Sequence, residues 1–498
     1  MTLGTPSTGK DTMTYESPVW AGNTAPRDEF FWISQINKAT LISNTQEDLL
    51  NQKHAALFAR GLNKVIADAN TSGAFRPKMY VRYEPLLVKA CGIEVTTMHV
   101  GRSSQDIHST FQRAMLREFV LSLAQALNEV RRVLLERSKE HRDTIVPNYT
   151  NGVAAQPNSL AHTWLGHLAG LERDFDKLQE YWKRLNLCPM GTTVLNGSSW
   201  PLNRQMMASL LGFDAPVDNA YDASQISPTD IALEAASVLS MPLFHITQFI
   251  ADVMVQYAQP RPWMLVSATY ASSAMPQKRN PGSLIDIRRD ANAVLAYAQS
   301  IFSRAHNLPP GMYDAKDIQQ NGEIVAEATT VLSQFANVLQ LLVVDKDRAY
   351  EELNLDWTAS QELADILMRK YQLPFRVGHH IASNMVTVAR QRGFTPLTFP
   401  YSEVCRLYTE VVSHEALTGV SDTFPMTEEE FRLALDPRTI VNHRQTEGGP
   451  QPAELDRQLS YATSSLSEDQ AWLSQIKAKL AVAEASCNQA FANLIDAQ

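Results

Sequence analysis

The sequence predicts an all-α protein, a long central helical bundle with smaller helical N- and C-terminal domains. Two observations predict it. Apolar residues recur at three- and four-residue spacing over long stretches, which is the pattern of an amphipathic helix. Strand-like stretches are scarce, and "IEVTTMHV", residues 93–100, is the best of them.

Taken in order, residues 112–139 carry Leu116, Phe119, Val120, Leu123, Leu127, Val130 and Leu134 on one face of a helix of several turns. Residues 229–257 are apolar on nearly all sides, as in a helix buried in a large bundle or a subunit interface. Pro242 within that stretch predicts a kink. Asn280 suits an N-cap and Pro281 a first helical position, so a helix is expected to start there. Further helices are predicted over 322–353 and 465–497, with linkers at 424–429 and 447–454. The expected organisation is an N-terminal domain with a flexible arm (1–110), a central bundle (111–361) and a C-terminal helical domain (362–498).

The chain has 498 residues and a net charge of -9. That balance argues against nucleic-acid binding, which needs a basic face. It leaves room for an acidic substrate, because a few cations reverse the potential inside a cleft. The four cysteines lie far apart with no CxxC pair, so neither a metal centre nor a disulfide framework is expected. No cofactor is called for, since no glycine-rich phosphate loop is present. The N-terminal residues lack the apolar core of a secretory leader, and no apolar run is expected to approach the ~20 residues of a membrane span. A cytoplasmic protein that binds no membrane is the expectation.

Four stretches carry chemistry. "SSAMPQKRNP", 272–281, places paired hydroxyls, a lysine and a carboxamide at the start of a helix. A helix start offers free N–H groups to an anion. "HVGRSSQDIHST", 99–110, holds Arg102, Ser103 and Ser104, a guanidinium with hydroxyl donors that suits a carboxylate. "PNYTNGVAAQPNSLAHTWLGH", 147–167, holds Thr150, Asn151 and Gln156. "GTTVLNGSSWPLNRQ" follows at 191–205. His162 and His167, five apart, fit packing or hydrogen-bonding roles better than metal binding.

The first stretch resembles the signature loop of the fumarase/aspartase superfamily, G-S-S-x-M-P-x-K-x-N-P, with Ala271 in place of the leading glycine. The other three, together with "LPPGMYDAKDIQQ" (308–320) and "ELADILMRKYQLPFRVGHH" (362–380), resemble its argininosuccinate lyase branch. The resemblance implies that Ser272 is the base that takes a proton beside a carboxylate. It implies that Lys278 and Asn280 stabilise the developing charge, with Ser273 and Met275 in the same loop. Tyr313 and Gln319 would contact the amine half. It also implies a homotetramer whose active sites are shared between subunits, and small-molecule partners, fumarate and an amine or amino acid.

Two departures matter. The branch's catalytic histidine falls on Asn151, and a carboxamide exchanges no proton near neutral pH. The glutamate that holds that histidine falls on Ile285. In addition, "RSSQD" stands where the branch has R-S-R-N-D. The combination is similar to ethylenediamine-disuccinate lyase, a relative acting on aminopolycarboxylates. The expected function is therefore a carbon–nitrogen lyase that releases fumarate from an N-substituted aspartate. Argininosuccinate lyase proper, a carboxymuconate-type cycloisomerase and a non-catalytic structural protein are the alternatives.

Overall fold

In a computed structural model, residues 27–267, 270–311, 318–415, 417 and 419–496 are described. Helix α1 (Glu29–Gln46) starts at Asp28, whose carboxylate accepts from the Phe31 amide at 3.0 Å. Helices α2 (Gln52–Ala69) and α3 (Tyr80–Cys91) follow. The expected strand is instead a 3₁₀ segment, Ile93–His99. Val95 and Met98, three residues apart, are buried while Ile93 is exposed. That spacing matches the three residues of a 3₁₀ turn rather than the alternation of a strand.

Helix α4 (Ser104–Glu140) is 37 residues long and carries the predicted apolar face. A hairpin of β1 (Ile145–Thr150) and β2 (Val153–Ser159) leads into α5 (Leu160–Leu185) and the short α6 (Arg204–Leu210). Helix α7 (Ser227–Tyr257) contains Pro242 without ending there. Helix α8 begins at Gly282 and runs to Ala305, with Pro281 as its N-cap. Asn280 therefore lies outside the helix, because its side chain is spent on the Tyr270 carbonyl. The expected 322–353 helix is two, Gln319–Gln340 and Lys346–Leu355. Between them Leu342–Val344 pairs antiparallel with Met264–Val266.

Smaller helices over 360–442 share one core built around Leu363, Ile381, Phe399, Val404 and Phe431. The last helix starts at Pro452 and runs to Asp496, so most of the expected 447–454 linker is a short pinned turn. There the Gly448 amide donates to Glu454 at 2.8 Å, and its carbonyl meets His162 Nε2 at 2.8 Å. The same helix crosses two cores. Leu455 to Leu480 pack with α4, α5 and α7, whereas Cys487 and Phe491 pack with Phe30, Ile33 and Phe58 of α1 and α2.

Candidate active site

Tyr270–Ala271 pairs antiparallel with Arg279–Asn280, closing the base of a loop over 272–278. Buried Asn280 ties that base by donating Nδ2 to the Tyr270 carbonyl at 3.0 Å. Gly282 allows the turn into α8, since a Cβ there would lie 2.7 Å from the Tyr270 ring. Ser273, Met275 and Lys278 are exposed and Ser272 is half-buried. The Ser272 oxygen accepts from the amides of Ala274 at 3.4 Å and Met275 at 3.1 Å. Two N–H dipoles on one hydroxyl oxygen favour its deprotonated form.

The second segment is the β1–β2 hairpin. Its two-residue turn is Asn151–Gly152, with φ of 53° and 77°. Asn-Gly is the preferred pair where both central residues are left-handed. The sequence reading passed over this signal. Thr150, Asn151 and Gln156 are all exposed, and Gln156 donates to Gln361 at 2.5 Å. Asn151 occupies its position as a turn residue, whatever its chemistry. Ile285 is 36% exposed on α8 within one chain.

The third segment opens α4. Ser103 is the N-cap, and its oxygen accepts from the Gln105 amide at 3.2 Å. Asp106 completes the capping box by accepting from the Ser103 amide at 2.5 Å. Its other oxygen accepts from Thr192 and Thr193 amides at 3.1 and 3.2 Å, joining this stretch to the 191–205 stretch. Burial pushes the Asp106 carboxyl up, and the Ser103 and Thr192 amides and Arg102 oppose that shift. Asp106 was not among the residues predicted. The N-terminal S-x-x-D spacing was the signal for it.

Arg102 is buried, with Nη1 donating to Thr40 at 2.9 Å and Nη2 to the Tyr80 hydroxyl at 2.8 Å. No carboxylate lies within ion-pair distance of it among the described residues. Ser104 is the first helical residue. Gln319 opens its helix and lines a cavity of 350 Å³ with Lys78, Gln112 and Phe119. Tyr313 lies outside the described residues.

Within one chain, then, the loop, the hairpin and the α4 start are three separate presentations. Among the described residues no hydrogen bond or ion pair joins Ser272 or Lys278 to Thr150, Asn151 or Arg102. His162 and His167 instead line a cavity of 300 Å³ behind the hairpin, where His167 Nε2 meets Asp252 at 2.8 Å.

Residues 42–295 match the lyase family, and residues 357–442 match the argininosuccinate lyase C-terminal family. The argininosuccinate lyase of Geobacillus sp. (strain WCH70) is 30% identical over 390 residues, 77% of this chain and 80% of that protein. Among solved structures, EDDS lyase in complex with formate superposes with a TM-score of 0.84 at 26% identity, covering 94% of this chain and 92% of that one. An EDDS lyase variant with bound fumarate gives the same TM-score, 0.84, at 26% identity and the same coverage of 94% and 92%. The helical architecture, the signature loop and both family matches agree: the chain belongs to the argininosuccinate lyase branch of the fumarase/aspartase superfamily and is a carbon–nitrogen lyase.

Proposed function

We propose that the protein releases fumarate from an N-substituted aspartate, or adds an amine to fumarate, with Ser272 as the base. The observation that carries this reading is the Ser272 oxygen, which receives two backbone amides on an exposed loop that also presents Lys278. Ser272 takes a proton from the carbon beside a carboxylate. The resulting dianion is met by preorganised donors, the loop amides and Lys278. Its collapse breaks the carbon–nitrogen bond, and the nitrogen, carried as an ammonium in the substrate, leaves as the neutral amine and frees fumarate. Arg102 supports carboxylate recognition nearby, since a buried guanidinium held only by neutral hydroxyls favours an incoming anion.

Asn151 supplies no proton, so the leaving amine departs without the branch's usual histidine. This favours an aminopolycarboxylate over argininosuccinate, and the likeness to EDDS lyase supports the same choice.

The site is assembled from several copies of the chain in a homotetramer, with Arg102, Thr150 and Ser272 coming from different subunits. Two features support this. Among the described residues of one chain, no hydrogen bond or ion pair joins the three segments. Helix α7 lies in a stretch, Asp222–Tyr257, long and apolar enough to cross a membrane, yet only 44% of its most apolar window is buried. Phe244 on α7 and Tyr297 and Phe302 on α8 are exposed as well. Second copies of the chain would cover these side chains. The cytoplasm is the compartment that suits such an enzyme.

Incubating the protein with fumarate and a panel of amines, with argininosuccinate as a separate substrate, tests the reading. Adduct formation with a polycarboxylate amine is expected. Turnover of argininosuccinate alone would overturn the substrate class, and no turnover on any member would overturn the lyase assignment for this substrate set.

A further inference from the structure

One hydroxyl, that of Tyr149, joins three elements remote in sequence. It donates to Glu352 on the Lys346–Leu355 helix. It accepts from Gln256 Nε2 on α7 at 2.9 Å and from Trp263 Nε1 at 3.0 Å. Its partners are themselves held. Gln256 Oε1 accepts from the Trp263 amide at 3.1 Å, and Arg348 donates to Glu352 at 3.3 Å. Gln256 and Trp263 are both buried.

The network uses the whole hydrogen-bonding capacity of the hydroxyl, one donor and two acceptor sites. Burial, with the Glu352 carboxylate, pushes its ionisation well above the ordinary tyrosine range. It is therefore not the missing proton donor. What it does hold is geometry. Tyr149 immediately precedes Thr150 at the exposed hairpin tip. Trp263 immediately precedes Met264–Val266, from which the chain leads to Ser272. The hairpin also has a bulge here: Asn148 faces Gln156 but Tyr149 faces Ala154, leaving Ala155 unpaired. Bulges of this kind re-aim side chains beside active sites. A two-stranded hairpin is marginal by itself, so an anchor at its tip decides where the tip sits.

We infer that Tyr149 is a positioning residue whose bonds to Glu352, Gln256 and Trp263 set both the Thr150–Asn151 tip and the strand that feeds the Ser272 loop. This rests on the lyase reading above for its kinetic consequence, but not for its structural one.

The test uses the full-length protein with Tyr149→Phe, Glu352→Gln and Glu352→Leu. Turnover is measured with fumarate and an amine that the wild type converts, and amide hydrogen exchange is followed over residues 145–159 and 264–266. Tyr149→Phe is expected to lower kcat about 10- to 100-fold while KM for fumarate moves less than about threefold, because misplaced groups lose rate more than binding. Exchange at the hairpin tip should rise by roughly tenfold with the melting temperature nearly unchanged. Glu352→Gln keeps an acceptor for the hydroxyl and should stay within about threefold of wild type, while Glu352→Leu should fall as far as Tyr149→Phe. Wild-type kcat and exchange in Tyr149→Phe would overturn the inference. So would a kcat loss that only follows loss of folded protein, or Glu352→Gln falling as far as Glu352→Leu. If the wild type converts no amine, the lyase reading fails and the exchange result alone decides this one.

Discussion

The Ser272 hydroxyl oxygen accepts the amide of Met275, three residues further along the chain, at 3.1 Å. The bond curls the loop so that the proposed base sits in its own small nest of N–H groups, on a loop that also carries the exposed Lys278. An unassisted serine hydroxyl is far too weak an acid to serve as a base, and this local arrangement is the first part of the assistance it needs.

Ser272→Ala should leave the fold intact and remove nearly all turnover. Circular dichroism and steady-state rates check both halves. Activity above roughly a tenth of wild type, a barrier change of only about 1.4 kcal/mol, would remove Ser272 from the role of base.

Restoring the branch's missing pair with Asn151→His and Ile285→Glu should not create efficient argininosuccinate cleavage. On the proposed function the amine half would be recognised by other residues, and binding energy there would position the reacting carbon. Asn151 also serves the left-handed turn. An assay of the double variant with argininosuccinate decides the matter, and rapid cleavage would show that two positions set specificity.

Mixing two inactive proteins, Ser272→Ala and Thr150→Ala, should restore partial activity after subunit exchange. Some sites would then draw every segment from an intact copy. A monomer by light scattering, or no recovery after verified exchange, would refute the shared-site tetramer.

His141 gives a pH prediction. Burial, with Arg137 and Lys346 adding to it, lowers its pKa from the ordinary 6.5 to about 4. Its side chain is 3% exposed, and Nδ1 meets the Thr144 hydroxyl at 3.2 Å. Below pH 6.5 the unfolded chain takes up the proton that the folded protein refuses. Stability present above that pH is therefore lost as the pH falls towards 4. His141→Gln removes the titration and keeps a polar side chain. The stability of wild type relative to this variant should fall by on the order of 3 kcal/mol between pH 7 and 4, read from urea unfolding at each pH. A difference independent of pH would rule out His141 as the titrating group.

The sequence by itself determined the helical class, because the three- and four-residue spacing along 112–139 and the apolar run of 229–257 are local patterns that packing had only to accept. It also determined the signature loop, where two serines, a lysine and an asparagine lie within one short stretch, 272–280. The Asn151–Gly152 turn was equally legible and was passed over, since its positive φ values follow from residue type alone. Other features were decided only by the tertiary structure. Ile93–His99 became a 3₁₀ turn because the core it met could accept Val95 and Met98 on one side. The last helix started at Pro452 and crossed two cores. Arg102 found Thr40 and Tyr80, Asp106 found the Thr192 and Thr193 amides, and Tyr149 found Gln256, Trp263 and Glu352. Partners so far apart in the chain leave no periodicity to read. Their meeting depends on which helices pack together, and buried polar groups then take the hydrogen-bond partners that the packing brings within reach.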